Sequence, residues 1–416
     1  MYQIENTGYL VRTRTKSAAG RRPRVARNVV LLGLVSLLTD ISAEMVTTVL
    51  PLYLVVTLGM SPLSFGVIDG LYQGASAIVR IASGLVADRW RRHKEVAAAG
   101  YGLSALSKLG LLAVGGATGG IAAAILVDRT GKGIRTAPRD AMISLSCSPA
   151  TVAVSFGVHR AMDTAGAMIG PLIAFAMLSL APGAFDAIFI VSFCFAVVGL
   201  AVLVTFVDGR PGRHQEVTQA AARAITPADA ARLLARPDFR RLVIAGSALA
   251  VATISDAFLY LGLQRKLDFD TSLFPLLFVG TAVAFMVLAV PVGRLADRHG
   301  RVRVFVAGHV LLLAAYTALL LPSLGPLVLF AYLGVFGAYY AATDGVLMAV
   351  ASGRLPESLR ATGMGVLVTF TSLGRLAGAI AFGALWTLAG LQTAVVIFGT
   401  ALALGIVGAT VTLRRG

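Results

Sequence analysis

Charge is scarce in this chain. Aspartate, glutamate, lysine and arginine make up only 13% of its 416 residues, against about 25% in an average soluble domain. A soluble fold would have to hide 57% apolar residues in one core, and single cores stop growing at roughly 250–300 residues. That excludes one soluble globule and makes lipid the solvent for most of the chain. Cysteine is also sparse: Cys194 lies in an apolar run and Cys147 beside a short polar loop, so neither a disulfide nor a metal site is expected. No phosphate-binding loop of the G-x-x-x-x-G-K-[ST] type occurs, which argues against ATP as a driver. Gly131-Lys132-Gly133 sits inside an apolar helix and is not such a loop. No His, Cys and carboxylate cluster has metal-ligand spacing, and no nucleophile stands with a base. No cofactor, no metal and no catalytic residue are therefore expected, and the chain is not read as an enzyme. No cleavable signal peptide is visible.

What the chain has in abundance is long apolar runs. They recur at 29–56, 62–87, 95–115, 118–145, 153–180, 185–207, 240–263, 272–296, 302–321, 326–351, 360–387 and 391–413, and each is long enough to span a bilayer, which takes about 20 residues. Twelve transmembrane helices in an all-α membrane protein are the expectation. The formal net charge is +16. In a soluble protein that would suggest nucleic acid; here the basic residues mark cytoplasmic loops, and no nucleic-acid partner is expected. With the N-terminus inside, Arg89, Arg91, Arg92 and Lys94, then Arg298, Arg301 and Arg303, then Arg354 and Arg360, then Arg414 and Arg415 all fall inside, and only Arg265 and Lys266 fall outside. Both termini are expected in the cytoplasm, in a bacterial plasma membrane.

The polar stretches divide the chain. Residues 1–28 read as a basic cytoplasmic tail. Residues 29–207 read as one bundle of six helices and 240–413 as a second. Residues 208–239 read as a cytoplasmic linker, with an amphipathic helix from Thr226 to about Ala235 on the inner membrane face. The two bundles look like repeats. Gly84-Leu85-Val86-Ala87-Asp88-Arg89-Trp90-Arg91-Arg92 ends the second helix, and Gly293-Arg294-Leu295-Ala296-Asp297-Arg298-His299-Gly300-Arg301 ends the eighth. A second echo pairs Gly166-x-x-x-Gly170-Pro171 with Gly374-x-x-x-Gly378-Ala379. Two parallel repeats with pseudo-two-fold symmetry suit a carrier that rocks around a site between its halves.

The G-x-L-A-D-R-x-G-R pattern at 293–301, with its degenerate copy at 84–92, resembles the loop signature of the major facilitator superfamily. Arg91 stands where that signature has glycine. The resemblance runs over essentially the whole chain and implies the major facilitator fold. Asp88 and Asp297 end helices near arginines and can accept from a neighbouring helix start and pair with Arg, so Gly84, Asp88, Arg89 and Arg92 and Gly293, Asp297, Arg298 and Arg301 read either as a gating latch or as a topology signal alone. Arg129-x-x-x-Gly133 is similar to the family's arginine motif, linked to proton coupling. Gly166, Gly170 and Pro171 are similar to the fifth-helix motif associated with drug/proton antiporters, although Ala174-Phe175 replaces its trailing glycine pair. Thr39–Met45, Gly131–Asp140 and His159–Asp163 resemble a group of poorly characterised prokaryotic members.

Ionisable groups at membrane depth cost about 2.5–3.5 kcal/mol each on insertion scales, so they should face the interior or a partner. Asp40 and Glu44 share one face of the first helix by their spacing. Asp40 and Arg129 reach similar depths and are expected to pair across the cavity, as a proton-exchanging site or as a structural ion pair. Asp128, Lys132, Arg135 and Arg139 form one helical stripe. With Asp140, His159, Arg160 and Asp163 they make an inner charged cluster, either an anion-attracting funnel or a mutual salt-bridge network. Asp69 and Lys108 are expected to pair. Asp256 and Arg375 either pair or leave Asp256 as a second proton or substrate site, and Asp344 is placed near the inner gate. Together these support a secondary transporter of a small solute working by alternating access, with proton-coupled efflux as the leading reading. Proton-coupled uptake of an organic anion or metabolite is the alternative, and a non-transporting sensor or scaffold is the alternative of another class. The expected partners are a small-molecule substrate, possibly anionic, together with protons and the lipid bilayer, and the chain is expected to be a monomer.

Overall fold

A computed structural model describes residues 25–90, 92–147, 151–209, 232–321, 326–355 and 359–414. Side chains at 77, 78, 80–90, 153, 326, 327, 361 and 414 lie outside that description. Among the described residues there are helices and turns and no strand. This is what a lipid environment demands, because a helix satisfies its own backbone. In chain order the helices are α1 (Arg27–Leu52), α2 (Pro62–Trp90), α3 (His93–Ala113), α4 (Thr118–Leu145), α5 (Val152–Leu180) and α6 (Phe185–Phe206). They continue with α7 (Pro237–Val251), α8 (Asp256–Leu267), α9 (Phe274–His299), α10 (Arg301–Leu320), α11 (Pro326–Arg354) and α12 (Arg360–Arg414). A π-helical turn, Tyr53–Thr57, follows α1.

Nine described segments are long and apolar enough to cross a membrane. Of the expected twelve, the second span, 62–87, has side chains only partly within the described residues and is not among the nine. α4 is as long as its neighbours but carries Asp128, Arg129, Lys132, Arg135, Arg139 and Asp140, so it is too polar to count by composition. The last two expected spans are two helices within Arg360–Arg414 that meet at a kink at Gly390, where φ is 83° and ψ is 164°, and they count as one segment among the nine. That left-handed backbone is open to glycine at little cost.

The expected span 240–263 lies within one apolar segment, Pro237–Leu267, that is broken into two helices. α7 stops at Val251 and α8 starts at Asp256. Ser255 caps α8, its side chain accepting from the Phe258 N–H at 3.4 Å. Backbone freed by a break inside lipid must find other partners. Tyr316 supplies them: its hydroxyl accepts from the Ile254 N–H at 2.6 Å and donates to the Ala252 carbonyl at 3.2 Å.

The helices pack in two groups. α1 lies on α5 and α6, α4 on α2 and α3, and α3 on α6. In the second group α11 lies on α9 and α10, and α12 on α7 and α10. Small residues set the closest approaches, as membrane packing favours. Gly166 and Gly170 of α5 abut the carbonyls of Leu37 and Ile41 on α1. Gly374 and Gly378 of α12 abut those of Ser247 and Val251 on α7. The echo seen in sequence is therefore the same packing device in both groups.

The face that carries Leu58–Ser61, Ala181–Ala184 and Asp268–Asp270 is here called distal; the face with the start of α1 and the end of α12 is proximal. The groups meet chiefly through α2 against α12 and α5 against α9. On α2, Gly66, Gly70 and Gly74 press on Ala379, Leu376, Ile380 and Gly383. The Leu63 N–H donates to the Thr387 hydroxyl at 2.9 Å. Phe65 packs edge-on against Phe258, and Phe258 against Phe382, with ring centroids 4.8 and 4.9 Å apart. These contacts run from the distal end of α2, at Pro62, to its middle, at Gly74.

Candidate transport site

The polar residues that α1, α4 and α5 turn inward form two linked clusters. The first lies between α3 and α4. Asp128 takes the Lys108 ammonium at 2.6 Å, a hydrogen bond from the Ser107 hydroxyl at 3.3 Å and a close ion pair from Arg129. All three charged groups are buried. The Arg129 guanidinium also stacks 3.8 Å over the Tyr72 ring, and Tyr72 in turn shares a 2.5 Å hydrogen bond with Thr47 of α1. A narrow recess lined by Ala43, Thr47, Tyr72, Lys108, Asp128 and Arg129 lies against this cluster.

This arrangement corrects two expected pairs. Arg129 does not bridge to Asp40, because Asp128 beside it in the chain already holds its guanidinium. Lys108 does not pair with Asp69, because Asp128 holds its ammonium. Matching depth alone misled both expectations, since depth says nothing of which way a helix turns its side chains.

The second cluster lies between α1 and α5. Asp40 and Asp163 are both buried, and each carboxyl lies within electrostatic reach of the other. Around them stand Lys132 and Arg135 on one side, and Arg139 and Arg160 on the other at 3.9 and 3.5 Å from Asp163. Arg139 also pairs with Asp140 at 3.0 Å and donates to the Ser36 hydroxyl at 3.3 Å. Ser36 lies 2.8 Å from His159 Nε2. The inner charged residues thus come together as a salt-bridge network, with Ser36 a member that sequence gave no reason to pick. Arg135 lies 4.7 Å over the Tyr101 ring. Glu44, one turn along α1 from Asp40, is half-buried within electrostatic reach of Lys132 and Arg129.

In the second group of helices the charges are fewer and the aromatics denser. Arg375 pairs with Asp344 at 3.7 Å and not with Asp256, which corrects that option. Asp256 instead accepts a close hydrogen bond from the Tyr340 hydroxyl. Tyr340 sits in a run of rings with Phe336 and Tyr339.

Of the loop signature, Gly84, Asp88 and Arg89 have side chains outside the described residues, as does Arg91. Arg92 is exposed. In the second copy Asp297 accepts from Arg301 at 3.0 and 3.1 Å, and Arg301 reaches the Ala349 carbonyl at 3.1 Å, tying α10 to α11. Arg298 is exposed and Gly293 half-buried. Gly300 joins α9 to α10 with φ 99°, a conformation that explains glycine at this point in the signature. Pro171 is buried within α5 next to Gly170. The linker helix expected from Thr226 lies mostly outside the described residues.

The sequence profile of the Major Facilitator Superfamily matches residues 32–282 and 242–415. The chain belongs to the major facilitator superfamily. It is 29% identical over 390 residues to an uncharacterised MFS-type transporter of Methanocaldococcus jannaschii, covering 91% of this chain and 93% of that one. Among solved structures, its fold matches that of the nucleoside transporter NupG with a TM-score of 0.77 at 16% identity, covering 93% of this chain and 99% of that one. It also matches a bacterial homologue of the human lysosomal transporter Spinster, with a TM-score of 0.71 at 15% identity, covering 95% and 98% of the two chains. At such identities the likeness establishes the fold. As a member of this superfamily, the protein is a multi-pass membrane protein and a secondary transporter of small molecules.

Proposed function

We propose that this superfamily member is a proton-coupled carrier in which the Asp40–Asp163 pair carries the proton. One observation supports this most directly: two buried carboxyls from different helices lie within electrostatic reach of each other, with Arg139 and Arg160 at 3.9 and 3.5 Å from Asp163. Taking the proton away leaves two like charges within that reach. They then separate or are drawn apart onto Lys132 and Arg135 on one side and Arg139 and Arg160 on the other. Either response moves α1 against α5, the pair whose backbones touch at Gly166 and Gly170. Proton occupancy is thereby tied to the packing of the first six-helix group.

The reading places six helices in 29–207, six in 240–413 and a linker at 208–239 between them. Both termini lie in the cytoplasm, as the basic loops favour, in the plasma membrane of a bacterium-like cell, and the working unit is a monomer. The direction is efflux, exchanging substrate for protons, as the fifth-helix motif suggests. The surplus of basic over acidic groups near Asp163 favours a substrate that carries negative charge.

The test is a substrate screen in proteoliposomes with an imposed proton gradient. Wild type is expected to move substrate against its concentration gradient in exchange for protons. Asp40→Asn is expected to keep exchange of substrate for substrate but to lose gradient-driven accumulation, with Glu44→Gln as the neighbouring comparison. Transport that stays gradient-driven in both variants would show that the proton travels elsewhere.

A further inference from the structure

Four arginines crowd the proximal joint of α9 and α10, Arg294, Arg298, Arg301 and Arg303, and one carboxylate, Asp297, stands among them. Arg301 takes that carboxylate at 3.0 Å. Among the described residues Arg294, Arg298 and Arg303 have no acidic partner. All three are exposed. The faces that carry them are the ones these helices turn to lipid. Val283, Val287, Val290, Arg294 and Arg298 follow at steps of four, three, four and four, which makes one stripe of α9. The three valines are 41–67% exposed. On α10, Arg303, Ala307, Val310 and Ala314 step by four, three and four, and all are exposed. Both helices are long and apolar enough to cross a membrane, so each stripe meets hydrocarbon along its length and headgroups at its proximal end. The Arg303 side chain folds back over the joint: its Cδ lies 4.0 Å from where a Cβ on Gly300 would stand. Arg298 sits two residues before that glycine, one turn beyond Arg294.

Basic residues beside a membrane span set its orientation, but that role asks nothing of which way they face, and loop positions fill it. Arg294 lies inside α9, about 8 Å before its end at His299, on the side turned to lipid, where a cation without a partner is costly. The C-terminus of α9 favours a cation such as Arg298, whereas the first turn of α10 disfavours one at Arg303. A phosphate set between the two helices answers all three, because guanidinium groups grip phosphate oxygens two at a time. From Arg294 back to Val283 the α9 stripe runs roughly 16 Å, close to one leaflet of a hydrocarbon core about 30 Å thick. We propose that Arg294, Arg298 and Arg303 hold the phosphate of an anionic phospholipid of the proximal leaflet, with its acyl chains along the stripes of α9 and α10. The bound lipid fastens α9 to α10 from outside, as Arg301 fastens α10 to α11 through the Ala349 carbonyl. The site depends neither on which residue carries the proton nor on the direction of transport.

The test is native mass spectrometry of the full chain released from micelles that hold phosphatidylglycerol and phosphatidylcholine in equal amounts. Wild type is expected to keep one phosphatidylglycerol in preference to phosphatidylcholine. Arg303→Gln is expected to weaken that binding about fivefold, the effect of one basic residue at an anionic surface. Arg298→Gln/Arg303→Gln is expected to weaken it by at least about tenfold. Arg236→Gln/Arg240→Gln removes the same charge from exposed positions at the proximal start of α7 and is expected to leave the binding unchanged. Soluble glycerol phosphate in excess is expected to leave the lipid in place, since it has no chains to lie along the stripes. Equal retention of the two lipids by wild type overturns the proposal, and so does an Arg298→Gln/Arg303→Gln chain that binds like wild type. An equal loss from Arg236→Gln/Arg240→Gln would show a diffuse attraction with no site, and overturns it too. Displacement by glycerol phosphate would assign the arginines to a free phosphate ester and remove the lipid. If the double variant at the joint does not fold, Arg303→Gln against Arg236→Gln/Arg240→Gln decides: Arg303→Gln must bind more weakly than that comparison chain, or the site is wrong.

Discussion

Replacing Asp128 by asparagine removes one negative charge from between two buried cations. Lys108 and Arg129 each keep only 4–5% of their side chains exposed, so neither can turn to water. In the wild type their charges are met by one carboxylate at 2.6 Å from the ammonium and in close contact with the guanidinium. Asparagine offers one carbonyl oxygen and no charge. Breaking a buried pair while leaving its partner behind typically costs 3–5 kcal/mol, and here one substitution strands two cations. The expected loss of stability for Asp128→Asn is therefore about 4 kcal/mol, near the upper part of the range for single substitutions. Reversible unfolding in mixed micelles, or steric trapping, would measure it. The double variant Lys108→Met/Asp128→Asn should recover a large share, because the stranded ammonium is gone and Arg129 keeps its place over the Tyr72 ring. A loss under about 1 kcal/mol for Asp128→Asn, or a double variant no better than the single one, would mean that the cluster is hydrated and contributes little. In that case the argument from burial fails.

Two further substitutions test the packing. Gly170→Val puts a Cβ about 2.7 Å from the Ile41 carbonyl oxygen, which backbone cannot yield cheaply; a loss of roughly 1–3 kcal/mol is expected, read as a lower melting temperature in detergent. Tyr316→Phe removes the hydroxyl that serves Ile254 and Ala252 at the break between α7 and α8. A cost of about 1–3 kcal/mol is expected, with faster hydrogen exchange at Ile254 than in the wild type; unchanged exchange there would mean that another group caps the break.

The helices were legible because each signal is local. Long apolar runs bounded by Gly, Pro or Arg mark most spans to within a few residues, and the paired glycines of α5 and α12 announce their close crossings. The break at 252–255 was harder to see, since Ala250-Val251-Ala252 continues an apolar run without a proline. The available sign was Ser255 followed by Asp256, a capping residue and an acidic first turn. The ion pairs were largely illegible. Asp40 with Arg129, Asp69 with Lys108 and Asp256 with Arg375 were matched by depth, yet helix rotation and competition decide pairing. Residues i and i+1 point in diverging directions on a helix, so nothing in the pattern suggested that Arg129 would fold onto Asp128. The cluster around Asp163 was more visible because its members share stripes on α4 and α5. Ser36 had no signal beyond being polar in an apolar run.

The two halves of this transporter share their packing and differ in their chemistry. Glycine pairs seat α5 on α1 and α12 on α7 in the same way. What lies beside those seats diverges. α1 continues unbroken from Arg27 to Leu52 and carries Asp40 and Glu44, whereas its counterpart breaks after Val251 and restarts at Asp256. The first half packs Lys108, Asp128, Arg129, Arg135 and Asp163 into its interior. The second places Tyr316, Tyr332, Tyr339 and Tyr340 around Asp256 and the single pair Asp344–Arg375. The glycine crossings of this duplicated frame do not depend on the charges near them. The uneven charge then assigns labour. Under the proposed coupling, ion pairs in the first half exchange partners when a proton comes or goes, while hydrogen-bonded phenols in the second hold shape. On this argument, charge-neutralising changes in the first half should alter coupling more than stiffness, Asp128 excepted. Changes among the tyrosines should loosen the fold and leave the proton dependence of transport intact.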